Sequence, residues 1–284
     1  MLGHQLLKSW QNRHDVRVTV RGPLENYARY GLFHRGNTID SVDVCHTDRL
    51  REVIDSFRPE AVVNCTGVIK QRAAASLAVP SIQINALVPH QLQQLCGDAG
   101  ARLIQLSTDC VFNGKRGGYL QTDPPDATDL YGRSKALGEL TSPGTLTIRS
   151  SIIGLELSEH QSLIEWFLAQ HGAIRGFTSA IYSGVTTAEM ARILEFVLTR
   201  QPELHGLWQV AAEPINKYEL LSSLSAKLGR QDLTITPDDS FHCDRSLDGT
   251  EFARQTGYRV PAWPDMLDEL AAQIQNRSEL HEAA

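Results

Sequence analysis

Four short runs of strand composition limit what this chain can fold into: Ala61 to Asn64, Arg102 to Leu106, Thr145 to Arg149 and Leu207 to Ala211. The stretches between them carry apolar residues at helical spacing. Leu50, Val53, Ile54 and Phe57 fall at i, i+3, i+4 and i+7, and Met190, Ile193, Leu194, Val197 and Leu198 share a face of a helix over Thr186 to Arg200. Strands alternating with amphipathic helices predict an α/β chain, a doubly wound parallel sheet with helices on both faces.

The remaining segments fit around that alternation. A helix is under way from Met1 to Leu7, a strand runs from Val16 to Val20, and Asp43-Val44 closes another short one. Pro59 stops the helix over 48–57. A helix around Ile82 to Leu95 precedes the second of the four strand runs, and Thr128 or Asp129 caps a helix that starts near Tyr131. Beyond Gly154 the texture changes. Leu163 to Gln170 and Asn216 to Leu228 read as helices, while Gly172 to Gly184 reads as loop and Asp232 to Asp248 as irregular. Met266 to Ile274 makes a last helix before a polar, frayed tail over Asn276 to Ala284. The expected division is a nucleotide-binding part, residues 1–154 and 184–212, and a smaller discontinuous substrate-binding lobe, residues 155–183 and 213–275.

Composition narrows the setting. With 284 residues the chain is long enough for one large α/β domain or a core plus a smaller lobe. A net charge of −6 without a lysine- or arginine-rich run argues against a nucleic-acid surface. The five cysteines, at 45, 65, 96, 110 and 243, form no C-x-x-C pair, which fits free thiols in a reducing cytoplasm and neither a disulfide framework nor a zinc site. No metal-ligand cluster is expected, and no stretch reads as a membrane span or a signal peptide. The expectation is a cytoplasmic globular protein, with a homodimer left open.

The chemistry concentrates between Ser107 and Lys135. Ser107-Thr108-Asp109-Cys110-Val111-Phe112 follows a strand, and Tyr131 and Lys135 stand four apart at a helix start, where positions i and i+4 share a face. A lysine ammonium held there favours the phenolate and draws the tyrosine pKa down from about 10 toward the working range. A tyrosine so tuned exchanges a proton with a sugar or alcohol oxygen. Cys65-Thr66-Gly67 forms a turn of small residues at a strand's carboxyl end, where ligands of such sheets approach the backbone. Arg21 follows a strand at the place where an arginine accommodates a ribose 2′-phosphate, which leans toward NADP. The start is unusual. Neither the first buried strand nor the first two glycines of a dinucleotide fingerprint is present, and Gly3 reads as its last glycine. The expectation is that Met1 is internal to that fingerprint and that the native protein begins roughly ten residues earlier, a strand and its turn.

Ser107-Thr108-Asp109 followed by Tyr131-x-x-x-Lys135 resembles the extended short-chain dehydrogenase/reductase superfamily. Within it the chain is similar to the dTDP-4-dehydrorhamnose reductase-like branch of sugar-nucleotide reductases. The Met1-Leu2-Gly3-His4 start, Leu130 to Lys135, Asn216 to Leu221 and Arg245 to Asp248 carry the likeness across the chain. The resemblance implies a Rossmann-like fold and NADPH-dependent reduction of a 4-keto-6-deoxy nucleotide sugar for polysaccharide precursors, with NADH as the alternative cofactor. Thr108 would hydrogen-bond the substrate carbonyl, Tyr131 would give the proton, and Lys135 would hold the nicotinamide ribose and tune the tyrosine. The implied cofactor set is Gly3, Arg21, Asp43, Cys65, Thr66 and Gly67 with Tyr131 and Lys135. Ser107, Asp109, Ser151 and Arg245 would line the substrate site, Arg245 because a guanidinium pairs with diphosphate oxygens. Dehydratases on this scaffold carry a glutamate where this chain has Cys110, which cannot act as a carboxylate base. An epimerase or a non-catalytic NADP-binding regulatory subunit remains the alternative.

Overall fold

The computed structural model describes residues 1–69, 77–158 and 160–282. In chain order it opens with α1 (Leu2–Trp10), β1 (Val18–Thr19), a 3-10 segment (Leu24–Tyr30), β2 (Thr38–Ile39), α2 (Thr47–Phe57) and β3 (Ala61–Asn64). Helices α3 (Ala78–Ile82) and α4 (Val88–Ala99) are joined by a π-helical turn, Gln83–Leu87, and β4 (Arg102–Ser107), α5 (Leu130–Leu137), β5 (Thr145–Arg149) and β6 (Ile152–Ile153) follow. Next come α6 (Leu163–Leu168), β7 (Gly172–Phe177), β8 (Ala180–Tyr182), β9 (Val185–Thr186), α7 (Thr187–Arg200) and β10 (Gly206–Gln209). The chain ends with β11 (Ile215–Asn216), α8 (Lys217–Lys227), β12 (Leu233–Asp238), β13 (Cys243–Asp244), α9 (Thr250–Thr256) and α10 (Trp263–Glu282).

The four strand runs read from the sequence form one parallel sheet, in the order β10-β5-β4-β3. Successive side chains of a strand point to opposite faces, and β4 shows the consequence. Ile104 joins a core with α1, α7 and α10, while Leu103 joins one with α2 and α4 on the other side. Helices therefore cover both faces, as expected. In β5, Thr147 and Arg149 are buried as deeply as Leu146 and Ile148. The polar side chains are tolerated because each finds partners: Thr147 Oγ1 donates to the Leu140 carbonyl at 2.7 Å and accepts from its N–H at 3.0 Å.

Three expectations need correction. The strand placed at Asp43-Val44 lies earlier, at Thr38–Ile39, where it pairs in parallel with β1. Val44 instead packs beside Val42, Leu50 and Ile54 from a turn. Gly172 to Gly184 and Asp232 to Asp248 contain strands: β7 pairs with β12 over six residues, and β8 pairs with β11 and β13. Their partners lie between 33 and 63 residues away in the chain, so local pattern carries no signal for them. The frayed tail is helical as far as Glu282, as a continuation of α10, and residues 283 and 284 lie outside the described ones. Among the described residues no helix is long and apolar enough to cross a membrane.

Candidate active site

The site forms where the carboxyl end of β4 meets α5. After Ser107 the chain turns through a short 3-10 segment, Asp109–Val111, capped by Thr108, whose hydroxyl oxygen accepts from Cys110 N–H at 3.1 Å and donates to Asp109 Oδ1 at 3.0 Å. Helix α5 is capped by Asp129, which accepts from Gly132 N–H at 2.9 Å. The helix can come this close because position 132 is glycine. A Cβ there would sit 2.2 Å from the Cys110 carbonyl oxygen and 2.4 Å from Ala127 Cβ. Across that approach the Thr108 side chain lies near enough to the Tyr131 phenol to favour its ionised form in part. Two residues 23 positions apart in sequence thus come near each other across the turn.

The electrostatics differ from the expectation. Burial, helped by Cys110, Asp109 and Asp129, pushes the Tyr131 phenol above its ordinary range, and the hydrogen bond with Thr108 only partly offsets this. The phenol is therefore protonated at neutral pH, rather than drawn down by its lysine. Lys135 is buried and directs its ammonium to the strand, where Nζ donates to the Leu106 carbonyl at 2.6 Å. Burial lowers Lys135 to about 8, and the Glu139 carboxylate works against that loss. Burial also pushes the Cys110 thiol up to about 12, so the residue in the dehydratase-base position stays a neutral thiol.

The other predicted residues fall into two groups. Ser107 turns away from Thr108, its hydroxyl donating to Glu139 Oε1 at 2.6 Å. Arg245 reaches over the Thr108–Phe112 turn from the late segment, with Nε donating to the Phe112 carbonyl at 2.8 Å, and it feels the charges of Asp109 and Asp129. Ser151 lies just past β5, where its carbonyl accepts from Val185 N–H at 2.9 Å. At the other end, a Cβ built on Gly3 would lie 3.7 Å from Cys65 Cβ, so the first turn of α1 abuts the turn after β3. In that turn Thr66 is held by Asn64, whose Oδ1 accepts its N–H at 3.1 Å and its hydroxyl at 2.5 Å. Arg21 is exposed and lies close enough to Asp43 to help keep that carboxyl below its ordinary range, after the larger effect of the Cys45 N–H bonded to it.

Three residues escaped the sequence reading. Asn85, in the π-helical turn, bonds both the N–H and the carbonyl of Val68 and also the Ser134 hydroxyl, tying the stretch after Gly67 to α5. A polar residue inside an otherwise apolar helical stretch was the available signal. Glu139 and Arg149 form a buried, two-pronged ion pair, with Nε to Oε1 and Nη2 to Oε2 both at 2.7 Å. Arg149 closes a strand and Glu139 follows Lys135 by four, yet neither pattern marks them as partners.

Comparison with known proteins gives the family and the fold. The family model described as RmlD substrate binding domain matches residues 1–153. A probable low-salt glycan biosynthesis reductase of Haloferax volcanii is 31% identical over 139 residues, 45% of this chain and 46% of that protein. A dTDP-4-dehydrorhamnose reductase of Aggregatibacter actinomycetemcomitans is 26% identical over 183 residues, 61% of this chain and 62% of that protein. The chain thus matches from just under half to just over three fifths of the length of these curated relatives. In fold it superposes on the dTDP-4-dehydrorhamnose reductase of Bacillus anthracis, solved in complex with NADP, with a TM-score of 0.72 at 20% identity, covering 91% of this chain and 99% of that one.

Proposed function

The chain belongs to the RmlD substrate binding domain family, and from that premise we propose that it is an NADPH-dependent reductase of a 4-keto-6-deoxy nucleotide sugar. The observation that carries this reading is the Thr108 side chain beside a half-buried Tyr131 phenol, just past the carboxyl end of β4 in the parallel sheet. Carbonyl reduction places negative charge on an oxygen, which calls for a hydrogen-bond donor and then a proton. Thr108 supplies the first when its single hydroxyl proton turns from Asp109 Oδ1 to the substrate, and Tyr131 supplies the second. A tyrosine that rests protonated suits reduction, since an epimerase needs the same group to begin by taking a proton.

The residues present fit a nicotinamide dinucleotide. The first turn of α1, with glycine at position 3, abuts the small-residue turn Cys65-Thr66-Gly67, and a helix amino terminus beside such a turn suits a pyrophosphate. Gly3, Cys65, Thr66 and Gly67 would hold that end, Arg21 and Asp43 the adenosine ribose, and Lys135 the nicotinamide ribose. When bound, the cofactor supplies hydride to the carbonyl carbon. Tyr131 then gives its proton to the carbonyl oxygen and recovers one from solvent. Asp109 holds the Thr108 hydroxyl until substrate arrives, and Arg245, bonded to the Phe112 carbonyl of the same turn, would meet the substrate's diphosphate.

The test is to mix the protein with NADPH and a series of dTDP-linked 4-keto-6-deoxy sugars while following loss of nicotinamide absorbance. Turnover that falls by roughly 10²–10⁴ in Tyr131→Phe is expected. Binding of NADPH with no turnover of any sugar points instead to the regulatory-subunit reading. Sugar isomerised without net NADPH loss points to the epimerase.

A further inference from the structure

The Glu139–Arg149 pair lies beside the proposed catalytic residues, bonded to Ser107 and acting on Lys135. Its side chains are 7% and 3% exposed. Buried ion pairs add little net stability, because the desolvation of both charges offsets their attraction. This one carries a further cost: Arg149 Nη1 is buried and has no hydrogen-bond partner among the described residues. The guanidinium also lies over the Phe112 ring at 5.1 Å, and Phe112 stacks on Tyr119 at 4.1 Å. Carboxylate, guanidinium and two rings thus form one continuous chain of contacts.

What the pair joins is more telling than what it costs. Glu139 Oε1 accepts from Ser107 as well as from Arg149 Nε. The Ser107 backbone continues into Thr108, and Leu106, one residue earlier, holds Lys135 Nζ through its carbonyl. The Glu139 charge acts directly on Lys135. We propose that Glu139 is a positioning residue for the site: gripped on both oxygens by Arg149, it pins the end of β4 to the segment carrying Tyr131 and Lys135, and sets its negative charge against the Lys135 ammonium. The other charged groups near α5 face elsewhere on it. Asp109 and Cys110 from the 3-10 turn and Asp129 from the cap act on Tyr131, Arg245 acts on those same groups, and the His90 ring of α4 bonds the Leu137 carbonyl at 2.9 Å.

This role rests on the reductase reading for its purpose, but its test needs no turnover. In protein carrying ¹⁵N-labelled lysine, the Nζ resonance of Lys135, assigned with Lys135→Arg, is followed against pH. The wild-type midpoint is expected near 8. In Glu139→Gln it falls by about one pH unit or more, and Glu139→Asp, which restores the charge, returns it toward the wild-type value. Should Glu139→Gln alone fail to fold, the double variant Glu139→Gln/Arg149→Met also removes the guanidinium that the first substitution strips of its carboxylate, and is read for the same downward shift. A midpoint unchanged in a folded variant without the carboxylate overturns the proposal. In parallel, kcat for NADPH-dependent reduction is expected to drop at least tenfold in Glu139→Gln. If wild type reduces no sugar, the reductase reading falls and the titration alone decides the positioning role.

Discussion

Ser107, Lys135 and Arg149, at the carboxyl ends of β4 and β5 and on α5, are 8%, 7% and 3% exposed, and each is bonded to a second element. Arg21, just past the two residues of β1, is exposed, and β1 pairs only with the equally short β2. The first region lies on strands of five and six residues with helices packed on both faces. Charges there act through a low-dielectric medium and have few alternative positions. Around Arg21 water screens each contact, and a lost charge is replaced by solvent. Single substitutions should therefore cost far more at the proton-transfer end than at the adenosine-ribose end.

Tyr131→Phe is the severest way to test that contrast, with the 10²–10⁴ loss already given, and a loss under tenfold would deny the tyrosine its role as proton donor. Gly132→Ala comes next. The added methyl meets the Cys110 carbonyl, so α5 has to withdraw from the turn. Expected are a stability loss of about 1–3 kcal/mol in urea unfolding and a fall in kcat of roughly 10²-fold as Thr108 and Tyr131 separate. Normal kcat in a folded Gly132→Ala protein would mean that the close approach is not needed.

The pH dependence gives a finer test. Lys135 is protonated below about 8 and loses its charge as pH rises through that value. If the ammonium supports proton transfer, turnover declines on the alkaline side with a midpoint near 8, and Lys135→Arg, still charged at high pH, loses that decline even where its kcat is reduced. An alkaline limb that persists unchanged in Lys135→Arg would assign it to another group. The smallest effect is expected at Arg21. Arg21→Ala should raise the KM for NADPH by only about two- to fivefold, as befits an exposed ion pair, and leave that for NADH unchanged. Equal changes for both cofactors would remove Arg21 from 2′-phosphate recognition.

Much of this fold was legible before any coordinates. The β3, β4 and β5 runs and the helices over Thr47–Phe57 and Thr187–Arg200 announce themselves because burial on a sheet face or a helix stripe imposes a local period. The cap Asp129 and the Tyr131/Lys135 spacing are local in the same sense. The strands β7 and β12 were not legible, since Gly172-Ala173-Ile174-Arg175-Gly176-Phe177 shows no regular alternation and takes its strand geometry from a partner 60 residues on. Nor was the direction of the Tyr131 shift. Helical spacing places Lys135 on the same face, but the backbone carbonyl of Leu106 and the Glu139 carboxylate engage the ammonium.

The amino-acid sequence by itself determined the kind of sheet, the helices that cover it and the residue types available for acid–base chemistry, because each follows from neighbours within a few positions. Only the tertiary structure decided that the Tyr131 pKa goes up rather than down, that Ser107 serves Glu139, and that Arg149 grips Glu139 on both oxygens. Those outcomes depend on which buried groups face each other across strands and turns, and on how much water the packing leaves around them.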